Sequence, residues 1–244
     1  TAPSFAIVDS MKFASVAVTS SNVDILLRDA GRAVLDRLGE RADVAFVFIN
    51  AALSPRAETL AANLKRTLGA RVLIGCTGEG VIGPAHEIEA QPAMAVVAAQ
   101  MPGVDVEAFA IAKRDLLKIS LNPASLLSYY EPPYPLRFAV MLADPFSTPM
   151  DGVLRAFNQE CDGIPIIGGM ASGARQPGEA ALIINETVHR EGVVGIGFAG
   201  DVEVDVIVSQ GCRPVGPVFE VTEASHNVID SLGLSNVEFI PPNT

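Results

Sequence analysis

The chain has 244 residues, 49% of them apolar, with 17 Lys plus Arg against 28 Asp plus Glu and a formal net charge of −11. Such acidity repels phosphate backbones and anionic membrane faces, which excludes nucleic acid as a partner, and no apolar run reaches the roughly 18 residues of a spanning helix. Three separated cysteines (Cys76, Cys161 and Cys212) with no CxxC pair and no histidine at ligand spacing argue against both a zinc site and a disulfide framework. The first twenty residues lack the basic start of a secretory signal, which predicts a cytoplasmic protein. A mean hydropathy of +0.35 with only 18% charged residues predicts an apolar face covered by a second copy, a partner or a further part of the polypeptide.

Residues 1–11 read as an N-terminal arm, and residues 12–18 as a strand. Ser20 and Ser21 offer caps to a helix in which Val23, Leu26, Leu27, Ala30, Val34 and Leu38 recur at helical spacing until Gly39. A strand follows over 44–50, then a helix capped by Ser54 with Pro55 in its first turn, carrying Leu60, Leu64 and Leu68 inward and stopping at Gly69. Residues 72–76 form a strand entering the glycine-rich segment IGCTGEGVIG (74–83). Two further strands, 93–100 and 104–111, are joined through Pro102 and Gly103.

The same grammar returns downstream. FAVMLA (138–143) answers the strand at 46–50, and Ser147, Thr148 and Pro149 open a helix with Val153, Leu154, Phe157 and Cys161. IIGGMAS (166–172) answers the first glycine segment, GVVGIGFAG (192–200) answers AMAVVAAQM (93–101), and VEVDVIV (202–208) answers VDVEAFA (104–110). Residues 113–130 read as helical or irregular, and Pro132, Pro133 and Pro135 as a stiff linker. The expected fold is therefore α/β, with duplicated strand-helix-strand-strand units (about 44–111 and 138–208) forming layered helices and mixed sheets in an αββα-like arrangement.

Ligands of such sheets sit where loops diverge at the carboxyl ends of strands, and glycines there let backbone amides approach a bound group. Asn50, Asp144 and the turns carrying Gly75, Gly78, Gly168 and Gly169 occupy such ends; Thr77 and Ser172 supply hydroxyls, Glu79 a carboxylate and Cys76 a wall. Neither a P-loop nor a GxGxxG turn is present, so no nucleotide cofactor is expected, and no metal site either. As a nucleophile Cys76 would need a cation or a helix N-terminus at its sulfur; no basic residue lies between Val72 and Pro84, so it reads as an inert packing residue and the protein as a non-enzyme. His86 would have to fold back to serve Cys76 as a base; His189 and His226 read as surface or turn residues, and the acid pairs Asp105/Glu107 and Glu203/Asp205 as solvated strand faces.

The segments VLIGCTGEGVIG, PIIGGMASG and GVVGIGFAGDVEVDVIVSQGCRPVGPVFEVTE resemble the FIST family over roughly residues 12–230, the family's N-terminal domain. The resemblance implies an intracellular sensory module, attached to signalling proteins in bacteria and to F-box proteins in eukaryotes, that binds a small ligand, with amino acids as candidates. It also implies a FIST C-terminal domain as partner, whereas the tail 231–244 departs from the family pattern. A small-ligand sensory domain is the leading reading; a protein-protein scaffold using an exposed apolar face is the alternative, and a hydrolase-type enzyme the third.

Overall fold

A computed structural model of the chain describes residues 10–131, 135–161, 163–208, 216–225 and 228–234. Cys212, His226, Pro132, Pro133, most of the 1–11 arm and residues 235–244 of the tail lie outside the described residues. The chain divides into two compact parts, one running to Val204 and the other from Asp205.

In the first part, small and β-branched residues build a sheet and two amphipathic helices cover one of its faces. Strand β1 (Lys12–Thr19) leads into helix α1 (Val23–Leu38), then β2 (Val44–Asn50), a 3-10 turn (Ala51–Arg56), helix α2 (Ala57–Leu68) and β3 (Val72–Gly78). Two short strands, β4 (Val81–Ile82) and β5 (Glu87–Ile88), pair with each other before β6 (Ala93–Gln100). Leu26, Leu60, Leu64 and Leu68 are fully buried against Val47, Ile49, Met94 and Val96 of the sheet. Each such leucine contributes about 2 kcal/mol of burial. The caps differ from expectation. Asn22, not Ser20 or Ser21, receives the amides of Asp24 and Ile25, because its Oδ1 sits one residue before the helix while Ser20 Oγ is occupied by the Asn22 amide. Ser54 caps nothing: its hydroxyl donates to the Glu179 carbonyl at 2.7 Å, and Asn50 starts the turn by accepting from the Ala52 amide.

The second sheet comprises β7 (Val104–Ile111), β8 (Leu136–Ala143), β9 (Ile166–Met170) and β12 (Val193–Gly200). Helices α3 (Lys113–Leu121) and α4 (Met150–Glu160), with a 3-10 turn (Pro123–Ser128), cover its outer face. There Phe109, Tyr130 and Phe157 form a ring cluster with centroids 4.2 to 6.1 Å apart. Leu154, expected inward, is 38% exposed. Ser147 and Thr148 both engage Gly192 rather than capping α4. Between β9 and β12 the chain leaves this sheet to add the hairpin β10 (Leu182–Ile184) and β11 (Thr187–His189) to the first one.

The architecture is mixed α/β. The first sheet runs β1-β6-β2-β3-β10-β11 and the second β7-β12-β8-β9. The order β1-β6-β2-β3 and its pairing senses (antiparallel, antiparallel, parallel) recur as β7-β12-β8-β9. The recurring stretches are thus 12–100 and 104–200, not 44–111 and 138–208. Residues 104–111 do not pair with 93–100, because both edges of β6 are already taken by β1 and β2. Residues 202–208, expected to form a strand, have no ladder partner among the described residues for the same reason, since β12 lies between β7 and β8. The inner faces of the two sheets meet through Val72, Ile74 and Cys76 on one side and Val104, Val194 and Ile196 on the other. The second compact part contains an exposed antiparallel hairpin, β13 (Phe219–Ser225) with β14 (Val228–Leu234).

One glycine recurs in each parallel pair. Gly75 faces Val47, Gly168 faces Met141, and a Cβ at either would lie 1.8 Å from the partner carbonyl oxygen. Gly169, by contrast, opens onto empty space. Gly75→Ala and Gly168→Ala are expected to cost at least about 3 kcal/mol, the upper range of overpacking, and Gly169→Ala less than about 1 kcal/mol. Urea unfolding of the three variants checks the contrast; equal midpoints would contradict it.

Candidate functional site

The carboxyl ends of β3 and β9 meet at the open side of the two sheets. Two hydrogen bonds tie them: the Ser172 amide donates to the Thr77 carbonyl at 3.1 Å, and the Glu79 amide donates to Ser172 Oγ at 3.0 Å. Thr77 is fixed from the other side, since its amide donates to the Ala181 carbonyl and its Oγ1 accepts from the Ala181 amide, at 3.0 and 3.1 Å. The 171–181 loop thus runs from the end of β9 to β10, pressed so close that a Cβ on Gly173 (φ +81°) would meet Ala51 Cβ at 2.6 Å.

Below this junction lies a cleft of about 570 Å³. Six of the ten sequence-predicted positions line it: Cys76, Thr77, Gly78, Gly168, Gly169 and Ser172. Its remaining walls come from Phe48, Val97, Val140, Leu142, Ile167 and Met170, among others. Those apolar residues were beyond sequence reasoning, which places them on strands but does not say which strand faces lie uncovered. Asn50 and Glu79 border a neighbouring hollow of about 410 Å³, together with Glu89 and Arg175. Asn50 donates from Nδ2 to the Glu79 carbonyl, so its side chain holds the turn. Gly75 lies within β3 against Val47 and borders neither space.

Asp144 is apart from both. It follows β8 where Asn50 ends β2, is 1% exposed, and its Oδ1 has no hydrogen-bond partner among the described residues. Asn50 donates to a carbonyl at the corresponding place in the first sheet, whereas the carboxyl group of Asp144 leaves a buried oxygen uncompensated among the described residues. Asp144→Asn is therefore expected to raise stability by about 1 kcal/mol or more, read as a higher urea midpoint; an unchanged or lower midpoint would refute it.

Burial pushes the Cys76 thiol up to about 12. No cation lines the cleft to oppose this. Burial raises the Cys161 thiol as well, assisted by Glu160. Because the folded state holds the Cys76 proton more tightly than the unfolded chain, with its ordinary value of 9.0, this contribution to stability is full below pH 9 and drains away as pH rises towards 12. At pH 8 a thiol reagent is expected to modify Cys76 at least about a hundredfold more slowly in the native protein than in urea, as an un-ionised buried thiol must. Modification at the unfolded rate would show a reactive thiolate. Among the described residues no three His, Cys, Asp or Glu side chains gather as metal ligands, and no helix is long and apolar enough to cross a membrane.

The FIST N domain family pattern matches residues 43–233, most of both recurring stretches and the junction between β3 and β9. The chain belongs to the FIST N domain family. FIST domains are associated with signalling proteins. This FIST N domain is 33% identical over 178 residues to an uncharacterized protein of Mycobacterium tuberculosis, covering 73% of this chain and 45% of that one. It is 30% identical over 205 residues to an uncharacterized protein of Mycobacterium bovis, covering 84% of this chain and 51% of the other. The chain spans about half the length of these curated relatives. Among solved structures, a cyanuric acid hydrolase from A. caulinodans aligns over 78% of this chain and 70% of its own, at 11% identity and a TM-score of 0.36, a likeness that says nothing about chemistry.

Proposed function

We propose that this FIST N domain is the ligand-binding part of an intracellular sensory protein, and that the cleft between β3 and β9 receives a small metabolite without covalent chemistry. The observation that carries the reading is the cleft itself. It is of small-molecule size, its walls are mostly apolar, and Thr77 and Ser172 add polar groups, which is the usual make-up of a ligand pocket. Ser172 is held in place by the Glu79 amide, which binds its oxygen and leaves its hydroxyl proton to donate. The charged groups Glu79, Glu89 and Arg175 border the adjoining hollow and not the apolar walls. Apolar walls with a few polar groups suit an amino acid with an aliphatic or aromatic side chain better than a phosphorylated or polyanionic compound.

The absence of catalysis is part of the proposal. A hydrolase-type mechanism would need an activated nucleophile; the protonated Cys76 thiol is poorly suited to that role, and Ser172 makes no hydrogen bond to a basic side chain among the described residues.

A thermal-shift screen against amino acids and related metabolites tests the reading, because a ligand that binds only the native state at a hundred times its Kd adds about 2.7 kcal/mol of stability. An apolar amino acid is expected to raise the melting temperature by several degrees. Gly169→Val places two methyl groups into the open space at Gly169 and is expected to weaken that ligand at least about tenfold, roughly 1.4 kcal/mol, with the free protein's melting temperature little changed. A library with no stabilising compound, or a ligand indifferent to Gly169→Val, would overturn the assignment.

A further inference from the structure

The apolar walls of the cleft between β3 and β9 are of two kinds. Cys76 and Leu142 are buried and belong to the core between the sheets. Ile82, Val97 and Met170 line the cleft too, yet they are 81%, 39% and 44% exposed. Single exposed aliphatic residues are ordinary on a protein surface. Three of them, from three separate elements, border one cleft that also carries the Thr77 and Ser172 hydroxyls, and such a grouping marks a surface that an apolar group covers.

Ile82 differs from the other two in what holds it. Val97 lies within β6, between β1 and β2, and Met170 ends β9 against Ala143, so each is part of a sheet ladder. Ile82 lies on β4, which among the described residues pairs with β5 alone. Strand alternation turns Val81 inward and Ile82 outward. Val81 and Ile88 form a small core of their own with Ala93 and Ala95, packed against Ala17 and Phe48. Gly83 sits so close to β1 that a Cβ there would meet Ala17 Cβ at 2.6 Å. At the base of the hairpin Ala90 is held at φ +53°, a left-handed backbone that a residue other than glycine keeps only where its surroundings enforce it. The hairpin is therefore firmly seated, and its one large exposed aliphatic side chain stands at the cleft.

We infer that Ile82 is the specificity-determining residue of the cleft: it covers the apolar part of the bound molecule and selects a hydrocarbon group there over a hydroxylated or charged one. The inference rests on the ligand-binding role proposed for the cleft and adds to it the residue that sets the preference. Covering an isoleucine takes apolar surface of both partners out of water, which favours a hydrocarbon group by about tenfold or more. A polar group at the same place loses its water and gains no partner from the isoleucine, and no charged side chain lines the cleft among the described residues. Because Ile82 stands outside both large sheets, its replacement alters the cleft without disturbing a sheet ladder.

The test uses 1-hexanol, a hydrocarbon chain with one hydroxyl, and 1,6-hexanediol, the same chain with a hydroxyl at each end. Both are titrated into the whole chain, and binding is followed by NMR at the methyl groups of Ile82, Val140 and Ile167. In the unsubstituted protein 1-hexanol is expected to shift all three and to bind about tenfold tighter than the diol. Ile82→Ser is expected to bring that ratio below about two and Ile82→Leu to keep it, with both melting temperatures within about a degree of the unsubstituted protein, as for any surface position. Shifts at Val140 and Ile167 without one at Ile82 overturn the inference and leave the cleft a binding site. A ratio near one in the unsubstituted protein, or a ratio that Ile82→Ser leaves unchanged, does the same. No shift at Val140 or Ile167 overturns the ligand-binding role of the cleft, and the inference with it. Should Ile82→Ser fail to fold, the Ile82 methyl shift in the unsubstituted protein decides.

Discussion

Everything at the candidate site depends on a steric constraint met twice: a glycine in β3, and another in β9, set directly against the carbonyl of its parallel partner. Parallel neighbours share a direction, so both chain ends of such a pair emerge on the same side. The glycines let Gly75 lie against Val47 and Gly168 against Met141 with no room for a Cβ. That geometry brings the ends of β2, β3, β8 and β9 to one side of the molecule. There the Thr77–Ser172–Glu79 bonds lock the two sheets together.

The two sheets are joined by apolar packing, and their edges are used unequally. Helices cover both outer faces, where fully buried leucines and the Phe109–Tyr130–Phe157 cluster supply most of the burial. Polar groups between the sheets are few, and they hold the backbone in place: Thr77 anchors the loop to β10, and Ser172 bridges to Glu79. Asp144 is the exception, a carboxylate whose Oδ1 lacks a partner among the described residues in a place where the first sheet uses Asn50. The cleft opens at the junction itself, where Thr77, Gly78 and Ser172 line it, and an apolar groove lies where β1, β6 and β2 face β8 and β12.

Much of this was legible before any coordinates. The helical stripes of Leu60, Leu64 and Leu68, the stops at Gly39 and Gly69 and the α/β alternation follow from local periodicity and from the freedom of glycine at positive φ. The glycine segments fall at the carboxyl ends of β3 and β9, and six of the ten chosen positions line one cleft. The caps were misplaced because Ser54, Ser147 and Thr148 have non-local partners, Glu179 and Gly192, more than forty residues away. No spacing rule reports such bonds.

What the amino-acid order determined by itself was the element types, the recurrence of their order and the glycines that parallel pairing requires, all consequences of backbone sterics and of side-chain period. Which strands became neighbours was a tertiary decision. Residues 93–100 and 104–111 look like a hairpin in sequence, yet they enter different sheets because β1 and β2 hold both edges of β6. The same competition for hydrogen-bonding edges sends the 182–189 hairpin to β3 and leaves β9 paired with β8 alone among the described residues. A strand offers only two edges, and which chain segment reaches each one is settled by the packing of the whole sheet.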